Sequence, residues 1–290
     1  MHRVPWWLAG AGVAVQVTYP LTSGSASLIV TVLSVALLSA AALAHVFSVT
    51  GSPSAPVVVL LAAAGTGWLS EVIGVHTGFP FGSYRYTSLL GPSALGVPLL
   101  VPLAWTMLAY PCLLLGRRLV RSLAAPALPA RGLAARGLAA PALAARRLWT
   151  AVLGGLTLAS WDLFLDPQLV ALGAWRWTYP SPALPGVPGV PLTNYAGWVG
   201  VSVCVIAVLD RALDVEGQLD ELSPRAQAVP AAVLTWTWLG SLTGNLVFFA
   251  RPAVAVYGGV AMGLFVVPYL RKLRSDALQD NHFHSDSGSG

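Results

Sequence analysis

The chain has 290 residues, 56% of them hydrophobic and only 9% charged, and its mean hydropathy is +0.71. Soluble domains carry about 25% charged residues, so a soluble fold is excluded and an integral membrane protein is expected. The net charge of +5 does not mark a nucleic-acid binder, because the basic residues sort by membrane side.

Apolar runs cover residues 5–20, 27–49, 56–75, 96–116, 148–166, 195–213, 228–249 and 253–270, which gives about eight spans of roughly 17–23 residues. Strand-like alternation is absent, and only helices or closed barrels satisfy their backbone in lipid. The expected fold is therefore all-α, a polytopic bundle of about eight transmembrane helices. It has seven if the first run is a signal peptide, with Ser23 to Ser27 as the cleavage region; an uncleaved first helix is the preferred reading. With the N-terminus inside, only Arg85, Arg176 and Arg251 of the 16 Lys and Arg fall on the outer side. That positive-inside bias predicts a multi-pass cell-membrane protein with both termini cytoplasmic.

In chain order, the third run carries Glu71 near its outer end, among Gly67, Gly74 and Gly78. Trp68 and Val75 stand at helical spacings from it, so Glu71 is expected to face a packed neighbour. An outer loop follows over 76–98, rich in Gly, Pro and aromatics that include Phe79, Phe81, Tyr84 and Tyr86. Cys112 and Cys204 fall in separate spans and read as small packing residues. The stretch 117–147 repeats ARGLA at 130–134 and 135–139 and reads as a low-complexity cytoplasmic connector within a single transmembrane domain over 1–275.

The fifth run ends in ASWDLFLDP, where Asp162 and Asp166 lie four apart on one helix face and Pro167 ends the span. Two carboxyls at that distance resist ionising together, so one is expected to keep its proton. A second outer loop, 167–194, holds Trp175, Trp177 and Tyr179. Asn194, Trp198 and Ser202 form a stripe on the sixth helix, and Thr237, Ser241 and Asn245 form one on the seventh. Between them, Asp210, Asp214, Glu216, Asp220 and Glu221 read as a solvated inner face. Residues 276–290 are polar and Gly/Ser-rich, hence a disordered tail.

This topology puts Glu71, Asp162, Asp166, Asn194 and Asn245 in the outer half of the membrane, beneath the two aromatic loops. An ionisable side chain there is a functional-site hypothesis, because its burial costs several kcal/mol. Around these groups no serine stands beside a histidine, no Gly-rich phosphate loop is present and no His or Cys has metal-ligand spacing, while His282 and His284 in the tail are a weak metal pattern read as incidental, so no metal or cofactor is expected. Lys272, the only lysine, is placed on the inner side, which excludes a retinal-type Schiff base. Carboxylic acids, amides and aromatic faces in a dry site suit proton transfer to an alkene. Three other readings stand beside it: a structural salt-bridge cluster with Arg85, Arg176 or Arg251; a non-catalytic lipid carrier; and a prenyltransferase-like pair of motifs, Asp162/Asp166 and Asp210/Asp214.

EVIGVHTGFPFGSYRYTSLLGPSALGVPLLVPLAW (71–105), ASWDLFLDPQLV (159–170), AWRW (174–177) and GVPLTNYAGW (189–198) together resemble the membrane-bound carotenoid hydratases. These are of the bisanhydrobacterioruberin hydratase and carotenoid 1′,2′-hydratase type. The resemblance implies cofactor-independent addition of water to the terminal double bond of an acyclic, ψ-end carotenoid, giving a tertiary alcohol. The pattern positions are Glu71, Gly78, Phe81, Gly82, Tyr84, Asp162, Asp166, Pro167, Trp177, Asn194 and Trp198. The chain departs from the pattern in the Arg117–Arg147 insertion and in a Pro-rich stretch from Ser181 to Val190. On this reading Glu71, Asp162 and Asp166 are the catalytic candidates, and Asn194 and Asn245 position water. Phe81, Tyr84, Tyr86, Trp175, Trp177 and Trp198 line the polyene and shield a cation. A cyclase remains the close alternative, because a ring-forming double bond can capture the same cation. The expected partners are a carotenoid substrate and membrane lipid.

Overall fold

The computed structural model describes residues 3–123, 139–213, 219 and 222–286. Among these residues there are eight helices: α1 (Val4–Val17), α2 (Ser25–Thr50), α3 (Ser54–Thr77), α4 (Leu100–Leu123), α5 (Ala139–Leu172), α6 (Leu192–Ala212), α7 (Ala228–Thr243) and α8 (Pro252–Asp286). Every expected apolar run contains a helix, but among the described residues only six helices are long and apolar enough to cross a membrane, namely α2 to α6 and α8. Helix α1 has 14 residues and reaches about 21 Å, short of a hydrocarbon core of about 30 Å. A 3₁₀ turn at Tyr19–Leu21 ends its apolar run. Helix α7 has 16 residues and is prolonged by a wide π-type turn over Gly244–Phe248.

Helix α4 is the hub of the bundle, in contact with α2, α3, α5, α6, α7 and α8. All of its residues from Trp105 to Val120 are buried, Arg117 and Arg118 among them. Glycines bring its neighbours close, as expected where helices pack without a hydrophobic driving force. A Cβ at Gly116 would lie 2.6 Å from the Thr150 carbonyl oxygen, and one at Gly155 2.6 Å from Val203 Cα.

The end of the bundle opposite the two long loops holds its ion pairs. Arg117 Nε meets Asp210 Oδ1 at 2.7 Å, both buried, while Arg118 and Lys272 meet Asp276 at 2.8 and 2.9 Å. Asp210 is therefore a buried partner of α4 and not part of a solvated face; Asp214, Glu216, Asp220 and Glu221 lie outside the described residues. Helices α4 and α5 extend into the expected connector from both sides, and its remaining stretch, 124–138, is also outside them. Where a polar tail was expected from Asp276, α8 continues to Asp286. Nor does Pro167 end its helix: α5 runs on to Leu172, since one proline removes a single backbone donor without stopping the turns that follow.

The loops contain short strands that the absence of long alternation had hidden. β1 (Tyr84–Tyr86) and β4 (Trp175–Trp177) pair antiparallel, with Tyr84 opposite Trp177, Arg85 opposite Arg176 and Tyr86 opposite Trp175. A smaller pair, β2 (Ser93–Ala94) and β3 (Val97–Pro98), closes the first loop.

Candidate functional site

Helix α3 delivers Glu71 and then ends at Gly78, whose φ of +80° is a left-handed cap that favours glycine. The chain folds back over its own helix, because Gly74 leaves room: a Cβ there would sit 2.8 Å from the Phe81 ring and 3.0 Å from the Tyr84 hydroxyl. In the β1–β4 ribbon alternate residues face opposite sides. Tyr84, Tyr86, Trp175 and Trp177 turn inward, and Arg85 and Arg176 turn out to the surface. Cross-strand rings pack in pairs: Tyr84 stacks on Trp177 at 5.6 Å and Tyr86 meets Trp175 edge-on at 5.4 Å. The Trp177 indole donates to the Phe81 carbonyl at 2.9 Å, tying the second loop to the first.

Both ribbon tyrosines reach Glu71. Tyr84 and Tyr86 donate their hydroxyls to the same Oε2, at 2.5 and 2.8 Å. Burial and the neighbouring Glu71 charge push both hydroxyls above the ordinary tyrosine range, so they remain donors at neutral pH. On the facing wall, Asn194 near the start of α6 donates its amide nitrogen to Asp162 Oδ2 at 2.9 Å and also to Asp166 Oδ2. One NH₂ group thus bridges the two aspartates of α5. Among the described residues, no Lys, Arg or His forms an ion pair with Glu71, Asp162 or Asp166. Arg251, the third candidate partner, lies over the Phe249 ring at 5.6 Å. The salt-bridge reading of the cluster is therefore set aside.

Glu71, Asp166 and Asn194 open onto one cavity of about 70 Å³, walled by Phe81, Tyr84, Tyr86, Trp105, Trp161, Trp175, Trp177 and Trp198. That space takes a few water molecules or the end of a hydrocarbon chain, but not a polyene. Thr31, Val35, Trp161, Leu165 and Leu169 are shared with a second cavity of about 1030 Å³. Its walls come from α2, α5, α7 and α8 together with Met107 of α4, the end of α1 and the turn after it, and it follows α7 from Ala228 to Thr243. Those fifteen steps of 1.5 Å make a groove of about 22 Å. The geometry is a long, largely apolar slot that shares five wall residues with a small chamber holding carboxyl groups and aromatic faces.

The family model described as "Carotenoid biosynthesis protein" matches residues 28–266. The chain belongs to this family. The bisanhydrobacterioruberin hydratase of Haloarcula japonica is 29% identical to it over 188 residues, which cover 63% of this chain. The match spans 56% of that relative's own length. No solved structure matches the chain.

Not every expected site residue reaches the chamber. Asp162 is fully buried behind its wall, with Oδ1 meeting no hydrogen-bond partner. Asn245 lines neither cavity: its amide donates to the Ser241 carbonyl within its own helix at 2.9 Å. The wide turn at Gly244–Phe248 shifts its direction from the simple i, i+4 stripe. Sequence reasoning also missed Trp105 and Trp161. Trp105 stacks on Trp198 with centroids 4.5 Å apart and planes 12° apart, and Trp161 meets Trp198 edge-on at 6.3 Å. The available signal was Gly67, four residues before Glu71, where a Cβ would lie 2.4 Å from the Trp105 ring. The prenyltransferase reading fails on distance: Asp210 is sixteen residues, or about 24 Å, along α6 from Asn194 and is bound to Arg117.

Proposed function

We propose that this protein hydrates the terminal double bond of an acyclic carotenoid. The observation that carries the reading is the shared chamber. Glu71 and Asp166 line one aromatic box, which shares a wall with a slot long enough for a linear hydrocarbon. Family membership supports a carotenoid as substrate, and the name of the Haloarcula relative supports hydration.

The polyene lies in the long groove and its end group enters the chamber. Two carboxyls bridged by one amide, with no cation beside them, share a proton. Asp166 is the member that touches the chamber, so it gives that proton to the terminal alkene carbon. The positive charge forms on the adjacent tertiary carbon, where the faces of Trp105, Trp161 and Trp198 stabilise it. Glu71 accepts two hydroxyl hydrogen bonds on one oxygen, the arrangement of a carboxylate acting as acceptor. It orients the water and takes its proton as the new C–O bond forms. Asp162 and Asn194 position Asp166. The positive-inside distribution supports a chamber towards the outer leaflet, with both termini cytoplasmic.

The test is expression in a host that accumulates lycopene, with mass analysis of the pigments. A product heavier by one water supports the reading. Unchanged pigment across acyclic substrates, with the protein present in the membrane, would sink it, and a cyclic isomer would assign the cation to ring closure instead.

A further inference from the structure

Hydration on the scheme above leaves the enzyme in the wrong protonation state after each turnover. The Asp162/Asp166 pair has given a proton to carbon, and Glu71 has taken one from water. No proton is gained or lost overall, so one must travel from Glu71 back to Asp166 before the next substrate reacts. Both groups are almost completely buried, at 4% and 1% exposure, so bulk water is not at hand for the transfer.

The chamber wall supplies few groups that could carry a proton. Indole N–H groups donate without accepting. The Asn194 amide is occupied by the two aspartates. Of the three hydroxyls on the wall, Thr31 donates to the Ser27 carbonyl in its own helix at 2.8 Å. The other two, Tyr84 and Tyr86, already rest on Glu71 and line the same small chamber as Asp166.

We propose that the Tyr84 and Tyr86 hydroxyls return the proton from Glu71 to Asp166, resetting the site between turnovers; this rests on the hydration reading. The hydroxyl oxygen accepts the proton held on Glu71 as its own hydrogen passes towards Asp166, directly or through a water in the chamber. One O–H bond breaks for each that forms, and the tyrosine never ionises. The hydroxyls thus serve the resetting step, whereas protonation of the alkene needs only Asp166.

The experiment follows product per enzyme against time in purified wild-type protein and in Tyr84→Phe/Tyr86→Phe. The relay predicts a loss at least about a hundredfold larger in the later turnovers than in the first, the lower end of what one positioned proton-transfer group contributes. A small weak acid such as acetic acid, added as a proton carrier, should restore the later turnovers, which a packing defect would not allow. If the double variant does not accumulate, Tyr86→Phe alone gives the same comparison at smaller amplitude. Unimpaired multiple turnovers would overturn the relay, as would an equal loss in the first and later turnovers. A wild-type protein that forms no hydrated product would instead overturn the hydration reading itself.

Discussion

Replacing Asp166 by Asn separates the chemistry of this side chain from its place in the fold. Asn has nearly the same volume, and its carbonyl oxygen can keep the bond from Asn194 that Asp166 Oδ2 now accepts, so the helices should pack unchanged. What disappears is the carboxyl proton at the chamber wall. Asp162 cannot replace it, being buried behind that wall. A positioned general acid typically contributes 10²–10⁴-fold, or about 2.7–5.5 kcal/mol of barrier at 1.36 kcal/mol per decade. The Asp166→Asn protein should therefore lose at least about a hundredfold in hydrated carotenoid per unit of folded enzyme. The assay is chromatography of pigments extracted from timed reactions, with folded protein measured by size-exclusion chromatography in detergent. Retention of more than about a tenth of wild-type activity would refute the assignment of Asp166 as acid, since no general acid contributes so little.

Other substitutions probe the walls and the opposite end. Gly67→Ala places a methyl group 2.4 Å from the Trp105 ring, so Trp105 must shift off Trp198, lowering stability by about 1–3 kcal/mol and turnover along with it; thermal unfolding and product yield report the two. Asn245→Ala should leave turnover per folded molecule unchanged, because Asn245 borders neither cavity; a loss confined to turnover would return it to the site. Arg117→Leu strands buried Asp210 and should cost about 3–5 kcal/mol of stability while the protein that remains folded keeps its turnover, which thermal unfolding and a per-molecule assay distinguish.

The helices and the acidic cluster were legible in the sequence for one physical reason. Lipid admits long apolar runs readily and a carboxylate only when something holds it, so Glu71, Asp162 and Asp166 stand out against their surroundings. Asn194 joined them through helical spacing alone. The ribbon was harder to read, since two three-residue strands carry too little alternation to register. Yet YRY and WRW each repeat aromatic, arginine, aromatic, and period-two reasoning applied to them would have turned Arg85 and Arg176 outward at once. Asp210 looked solvated because it adjoins an acidic loop; its partner Arg117 is 93 residues away in sequence and meets it only because α4 extends beyond its apolar run. Asn245 misled for a local reason, as a wide helical turn breaks the spacing on which the stripe depended. The long groove belongs to no single segment. It arises from gaps between helices, which appear only once those helices are packed.

The central claim is that water adds to a carotenoid end group inside this chamber. The most direct test incubates purified protein with an acyclic carotenoid in ¹⁸O-labelled water and records the product mass. The account predicts a tertiary alcohol carrying one labelled oxygen, absent from the Asp166→Asn reaction. Pigment recovered without labelled oxygen from active, folded protein would contradict it.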